Sequence, residues 1–176
     1  MTTPENRSVE SYKHKFAKQT LTQWLRELGE AAYKDNDTYA RIGDISWRTN
    51  RGEPTWGIFE EYPVSKSVEW GGYVHAWDET YWGTVPTFEQ LVKAGDRPDI
   101  IFDVAIQHKG SIIYAFEVVH KHPVTEYKAG VLNRLDVETY TINAEWILQQ
   151  VQRPTELRLI HEYGRCAYSK AIRRAA

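Results

Sequence analysis

Asp103 and Glu117 each interrupt an apolar run, Ile100 to Ile106 in one case and Ile112 to Val119 in the other. Gln107-His108-Lys109-Gly110-Ser111 lies between them, polar and with a glycine for a tight turn, so the two runs read as a β-hairpin. A turn centred on Lys109 and Gly110 sets Asp103 opposite Phe116 or Glu117. Directly opposed Cβ atoms stand roughly 4.5–5.5 Å apart. Two carboxylates that close, in an apolar setting, repel each other and resist desolvation. A cation relieves both problems, and Mg²⁺ is commonly held by one or two carboxylates plus substrate phosphates. Asp103 and Glu117 are therefore the expected ligands for Mg²⁺, with Mn²⁺ as an alternative. Asp99 shares a strand face with Ile101 and Asp103 if alternation is regular. It is a third candidate ligand, or a partner for Lys121. The competing readings have Asp99 capping the strand entrance with Glu117 alone functional, or the whole acid pair serving structure.

Pro98-Asp99 on the first strand, a short turn, Glu117 on the next strand and a helix after it make a pattern that resembles the PD-(D/E)XK nuclease superfamily. The block from Phe116 to Lys128 is similar to divergent members related to the competence-protein nuclease-like group. The likeness covers about residues 97–150 and, less closely, the first helix. It implies a restriction-endonuclease-like core, a mixed central β-sheet flanked by helices, and Mg²⁺-dependent hydrolysis of phosphodiester bonds. The lysine of the second motif would fall at position 119, which is Val119. The resemblance then implies a lysine recruited from elsewhere, or a fold that binds without cutting.

Lys128, in the helix expected to pack on the sheet, and Lys121, on the strand face of Glu117, are the two candidates for that lysine. Either stem is long enough to reach a phosphate. His120 is a candidate for proton transfer. His120 and His122 also have the spacing of two metal ligands, but no third ligand is spaced nearby. On the first helix Glu10, His14 and Lys18 stand at i, i+4 and i+8 and share a face. Divergent members of the superfamily often carry an acid on that helix, which makes Glu10 a candidate third carboxylate. A solvent-exposed Glu–His–Lys ladder is the plainer alternative. Glu60 and Glu61, on an earlier strand, could also approach the metal, with nothing in the sequence to fix their register.

The elements that must position these groups are readable in outline. Phe16, Ala17, Leu21, Trp24, Leu25 and Leu28 form an amphipathic stripe in a helix from about Val9 to Tyr33. Strands are expected over Trp56–Tyr62, Val68–Trp77, Val137–Ile142 and, at a sheet edge, Leu157–Tyr163. Helices are expected over Val124–Leu135, just past Pro123, and over Ala144–Val151 with Trp146, Ile147 and Val151 inward. Thr87 and Gln90 form a capping box for a short helix closed by Gly95, and Ala167–Arg174 reads as a last helix. The aromatic- and glycine-rich stretch near 35–85 is the least readable. Its tryptophans read as core before interface, and as interface before base stacking. The whole is an α/β domain over 8–176, preceded by a flexible 1–7.

A chain of 176 residues with net charge −2 has no global basic signature of nucleic-acid binding. A local basic face suffices for an enzyme that acts on nucleic acid. Lys13, His14, Lys15 and Lys18 on the first helix and Arg165, Lys170, Arg173 and Arg174 in an acid-free tail are the candidates, with a merely solvated terminal run as the plainer alternative for the tail. Cys166 is the one cysteine, which excludes an internal disulfide framework. No apolar run is long enough to span a bilayer and no signal-peptide pattern opens the sequence. The expected setting is cytoplasmic, without a membrane partner. Three functions compete: a Mg²⁺-dependent nuclease acting on DNA before RNA, a catalytically inactive nuclease-fold module that binds nucleic acid or a protein, and an unrelated interaction subunit. Homodimerisation or recruitment to a partner protein is compatible with the first two.

Overall fold

A computed structural model describes residues 11–49, 56–66, 73–75, 100–108, 111–134 and 137–164. Helix α1 spans Tyr12–Lys34, and Ser11 caps it by accepting the His14 amide at 3.2 Å. Strands β1 (Tyr39–Ile42) and β2 (Ile45–Arg48) form a separate two-stranded hairpin. Then come β3 (Trp56–Lys66), β4 (Tyr73–His75), β5 (Ile100–His108), β6 (Ser111–Val119), α2 (Glu126–Arg134), β7 (Glu138–Asn143), α3 (Ala144–Gln149) and β8 (Leu159–Tyr163).

The main sheet has the order β4-β3-β5-β6-β7-β8. It is mixed: β6 and β7 run parallel, joined through α2, and every other pairing is antiparallel. The hairpin β5–β6 holds the two central places, as two apolar strands covered on both faces should. Val104 and Phe116 form the last backbone pair at that end, with Asp103 and Glu117 the next residues beyond it. The register shifts by one residue between Ile106 and Gln107, where β6 carries a bulge, and His108 then pairs with Ser111. The fold is thus α/β with a mixed sheet flanked by helices.

Two cores lie on opposite faces. Ala17, Leu21, Trp24 and Leu25 of α1, Ala144 and Ile147 of α3, and Trp47 of the small hairpin pack on Val104, Ile106, Phe116 and Val118. Val131 and Leu132 of α2 pack with Tyr62, Phe102 and Ala115 on the other. Side chains two apart on a strand normally share a face. Yet Ile58 belongs to the first core and Tyr62 to the second, and Val104 to the first and Phe102 to the second. Both strands therefore change faces at one level. In β3 the cause is Glu61, whose φ of 52° is left-handed in the middle of a strand.

Several expectations need correction. Phe16 lies outside the buried stripe and is half-exposed, stacked on Tyr12 at the outer face of α1. Val151 is fully exposed, because the chain turns extended at Gln150 and the helix has ended. The β1–β2 hairpin falls in the stretch that the sequence leaves least readable; Gly43 turns it at φ 59° and donates its amide to the Thr155 carbonyl. Trp47 is buried and Trp56 packs against the core, as expected of core aromatics. The capping box at Thr87 and Gln90, the last helix, and Trp70, Trp77 and Trp82 lie outside the described residues. No helix among the described residues is long and apolar enough to cross a membrane.

Candidate functional site

The site forms where β5 and β6 part. Their ladder ends at Val104 and Phe116, and side chains take over the backbone groups beyond it. The Val118 amide donates to Asp103 Oδ2 at 2.8 Å. The Val118 carbonyl accepts from His14 Nε2 at 2.7 Å. The Ile101 carbonyl accepts from Lys128 Nζ at 2.8 Å. Backbone groups buried without partners are costly, so each of these side chains also holds the strands apart.

Glu117 is buried on the α2 side. Lys128 crosses from α2 and places Nζ 2.6 Å from Glu117 Oε2. The other oxygen, Glu117 Oε1, is buried with no hydrogen-bond partner among the described residues. Asp103 receives three cationic groups or potential ones. His14 Nε2 lies 3.4 Å from Oδ2, Lys18 Nζ lies 3.9 Å from Oδ1, and Lys128 acts through its charge. Lys18 is itself buried and donates to Glu61 Oε1 at 3.1 Å.

These contacts separate the two acids. Burial pushes the Glu117 carboxyl up to about 8, and the Asp103 charge adds to this against the opposing pull of Lys128. Burial would raise Asp103 as well. There the hydrogen bond from His14 and the charges of Lys128 and Lys18 outweigh it and hold the carboxyl below its usual value. His14 is raised, by its hydrogen bond to Asp103 first, against burial. Burial would lower Lys128, but the Glu117 and Asp103 charges overcome it and raise the group. The pair loses protons in two steps, Asp103 first. One acid that stays ionised beside one that holds its proton near neutrality is an arrangement suited to acid–base work.

A second cluster ties the start of α1 to the end of β6. Ser11 Oγ lies 3.0 Å from His120 Nδ1, and Glu145 Oε1 sits 3.8 Å from His120 Nε2 and 3.7 Å from Lys13 Nζ. This holds His14 and Lys18 over the gap between the strands.

The structure therefore brings Asp103, Glu117, Lys128, His14 and Lys18 together. His120 lies at the edge of the cluster, anchored to Ser11. Lys121 is exposed beyond the end of β6, and Lys15 is exposed on α1. Asp99, Glu10, Arg165, Lys170, Arg173 and Arg174 lie outside the described residues. The exposed Glu–His–Lys ladder does not describe His14 and Lys18, which face inward. Glu61, one of the two strand acids whose register the sequence leaves open, joins the neighbourhood through Lys18, and Tyr163 joins it with no signal in the sequence. The Tyr163 phenol is pushed up by burial first and by the Glu117 charge second. A four-residue spacing marked Lys18; nothing in the sequence marked the left-handed residue that aims Glu61 at it.

Among the described residues no group of three His, Cys, Asp and Glu side chains converges as a metal cage. Two carboxylates, one with an unused buried oxygen, still suit a hard cation that keeps waters and takes its remaining ligands from a substrate. No protein-family model, curated protein or solved structure matches the chain.

Proposed function

We propose that the parted end of the β5–β6 hairpin is a phosphodiesterase site acting on nucleic acid, DNA before RNA, on a restriction-endonuclease-like core. One observation carries the reading: Lys128 reaches Glu117 from α2, at 2.6 Å, so a helix-borne lysine stands beside the acids where the strand offers only Val119. Asp103 and Glu117 would hold Mg²⁺ or Mn²⁺, which when bound neutralises phosphate charge and acidifies water.

The chain's own groups then have distinct tasks. Asp103 is kept ionised by His14, Lys18 and Lys128 and supplies a fixed negative charge. Lys128 draws Glu117 toward its ionised form and presents a cation to the anionic phosphate. His14, charged over a wider pH range than an ordinary histidine, carries a proton beside Asp103 Oδ2. His120, held by Ser11, is a second imidazole at the edge.

A binding module without catalysis is the competing reading. It is favoured by the ion pairs Lys128–Glu117, His14–Asp103 and Lys18–Glu61, which already engage the charged groups of the resting site with one another. Incubation of the purified protein with labelled DNA and RNA, in Mg²⁺, Mn²⁺ or chelator, separates the two. Metal-dependent cutting is the expected result. Binding without cutting in either metal supports the module and removes the hydrolytic reading.

A further inference from the structure

Lysine is seldom buried unless paired. Lys18 has a side chain only 4% exposed, and its ammonium stands between two carboxylates, 3.1 Å from Glu61 Oε1 and 3.9 Å from Asp103 Oδ1. The two differ in kind. Asp103 is enclosed and engaged by the Val118 amide and His14. Glu61 is 61% exposed and stands at the rim of the site. Its backbone is left-handed at φ 52°, a conformation that a residue other than glycine enters at a cost. The register of Glu60 with Val104 and Tyr62 with Phe102 sets Glu61 level with Asp103. An irregular residue inside a strand re-aims a side chain. Here it aims a carboxylate at Lys18, a buried lysine that also faces Asp103.

A carboxylate and a phosphodiester are both single negative charges with paired oxygens, and both are natural partners of a lysine ammonium. We propose that Lys18 is a phosphate-binding residue of this site and that the Glu61 carboxylate occupies its ammonium until a phosphodiester displaces it. The ligand class is a nucleic-acid phosphate lying beside Asp103. Glu61 is the partner that can be replaced, because it is the one that reaches solvent. This deepens the phosphodiesterase reading and rests on it for the substrate class.

The test compares wild type with Glu61→Gln and Glu61→Gly in two arms, a fluorescent single-stranded oligonucleotide and inorganic phosphate, both in chelator so that nothing is cut. Glu61→Gln removes the competing charge. Glu61→Gly removes it and also suits the left-handed backbone, which protects against a failure to fold. Both variants are expected to bind the oligonucleotide about tenfold tighter than wild type. The log–log salt slope should become steeper by about one phosphate contact. Inorganic phosphate should compete better with the oligonucleotide in the variants than in wild type. Unchanged or weaker binding in both variants overturns the proposal, including the case where only the melting temperature moves, because Glu61 then merely neutralises Lys18. Tighter binding of free phosphate without tighter binding of the oligonucleotide overturns the assignment to a diester. Cleavage is measured separately in Mg²⁺ and Mn²⁺. Tighter oligonucleotide binding in a protein that never cuts upholds the role of Lys18 and Glu61 and removes the hydrolytic reading alone.

Discussion

Lys128 Nζ lies 2.6 Å from Glu117 Oε2 and 2.8 Å from the Ile101 carbonyl, so one ammonium closes the gap between α2 and both central strands. Removing it leaves a buried carboxylate facing a buried carbonyl. Breaking a buried pair from one side costs about 3–5 kcal/mol when the remaining charge cannot escape. Glu117 can escape by keeping its proton, so Lys128→Ala should cost less, about 1–3 kcal/mol, and less at pH 6 than at pH 9. Denaturant midpoints at the two pH values check this. Cleavage should fall by a factor on the order of 10² or more, while Lys121→Ala, at an exposed position beyond β6, should affect binding and leave the rate of cutting near wild type.

The acids also set how stability depends on pH. Glu117 holds its proton more tightly folded than unfolded, up to about 8. Its contribution is complete below its ordinary value of 4.5 and is lost as pH rises to about 8. His14 is raised too, so its contribution is present below 6.5 and is lost as pH climbs through its folded value. Asp103 works the other way: its stabilisation is present above 3.8 and is lost as pH falls through its lowered folded value. Melting temperature should therefore peak on the acid side of neutrality and decline between about pH 6 and 8. Glu117→Gln should flatten that decline and raise the melting temperature at pH 8. A wild-type profile that rises through this range contradicts the assignment.

The hairpin was legible because its signal is local. Two apolar runs and the Lys109-Gly110 pair between them mark the hairpin and leave Asp103 opposite Phe116 or Glu117, and the register shift between Ile106 and Gln107, which the sequence does not announce, is what sets Val104 against Phe116. The stripe in α1 was legible for the same reason, except at Phe16, where an aromatic at the right spacing faces solvent beside Tyr12. Lys128 was legible as a candidate because a helix after β6 has to return over the sheet. Glu61 was not. Its role depends on one left-handed residue, and a glutamate carries no local preference for that conformation. The break it marks moves Tyr62 and Phe102 to the α2 side, where strict alternation would have kept them with Ile58 and Val104. The β1–β2 hairpin escaped because its strands are short and its Gly43-Asp44 turn lies in a stretch crowded with other glycines and aromatics.

Asp103→Asn tests the link between α1 and the strands. The amide oxygen can still accept from the Val118 amide, so the strand ends should stay apart and the fold should persist. The charge that raises His14 disappears, and burial, which opposes it, remains. The His14 titration, followed by NMR, should move to lower pH than in wild type. Nuclease activity, where wild type has it, should be abolished. An unmoved His14 titration means that the Asp103 contact does not exist in solution.

Gly29→Ala tests whether α1 sits on the sheet as described, which is what brings His14 and Lys18 to the acids. In an isolated helix this change is favourable by about 1 kcal/mol, since alanine is the better helix former. Here a Cβ at position 29 would lie 2.4 Å from Trp56 Cη2 and 2.5 Å from Cζ3. The indole is rigid, is packed against the core and belongs to β3, so either it or the helix must move. Overpacking of this kind costs about 1–3 kcal/mol, enough to reverse the sign. The variant should therefore lose stability and shift its tryptophan fluorescence, and its cleavage and oligonucleotide binding should fall as α1 is pushed away from Asp103. A variant that is more stable than wild type, with unchanged tryptophan emission, would show that Gly29 does not face Trp56, and the placement of His14 and Lys18 over the hairpin would fall with it.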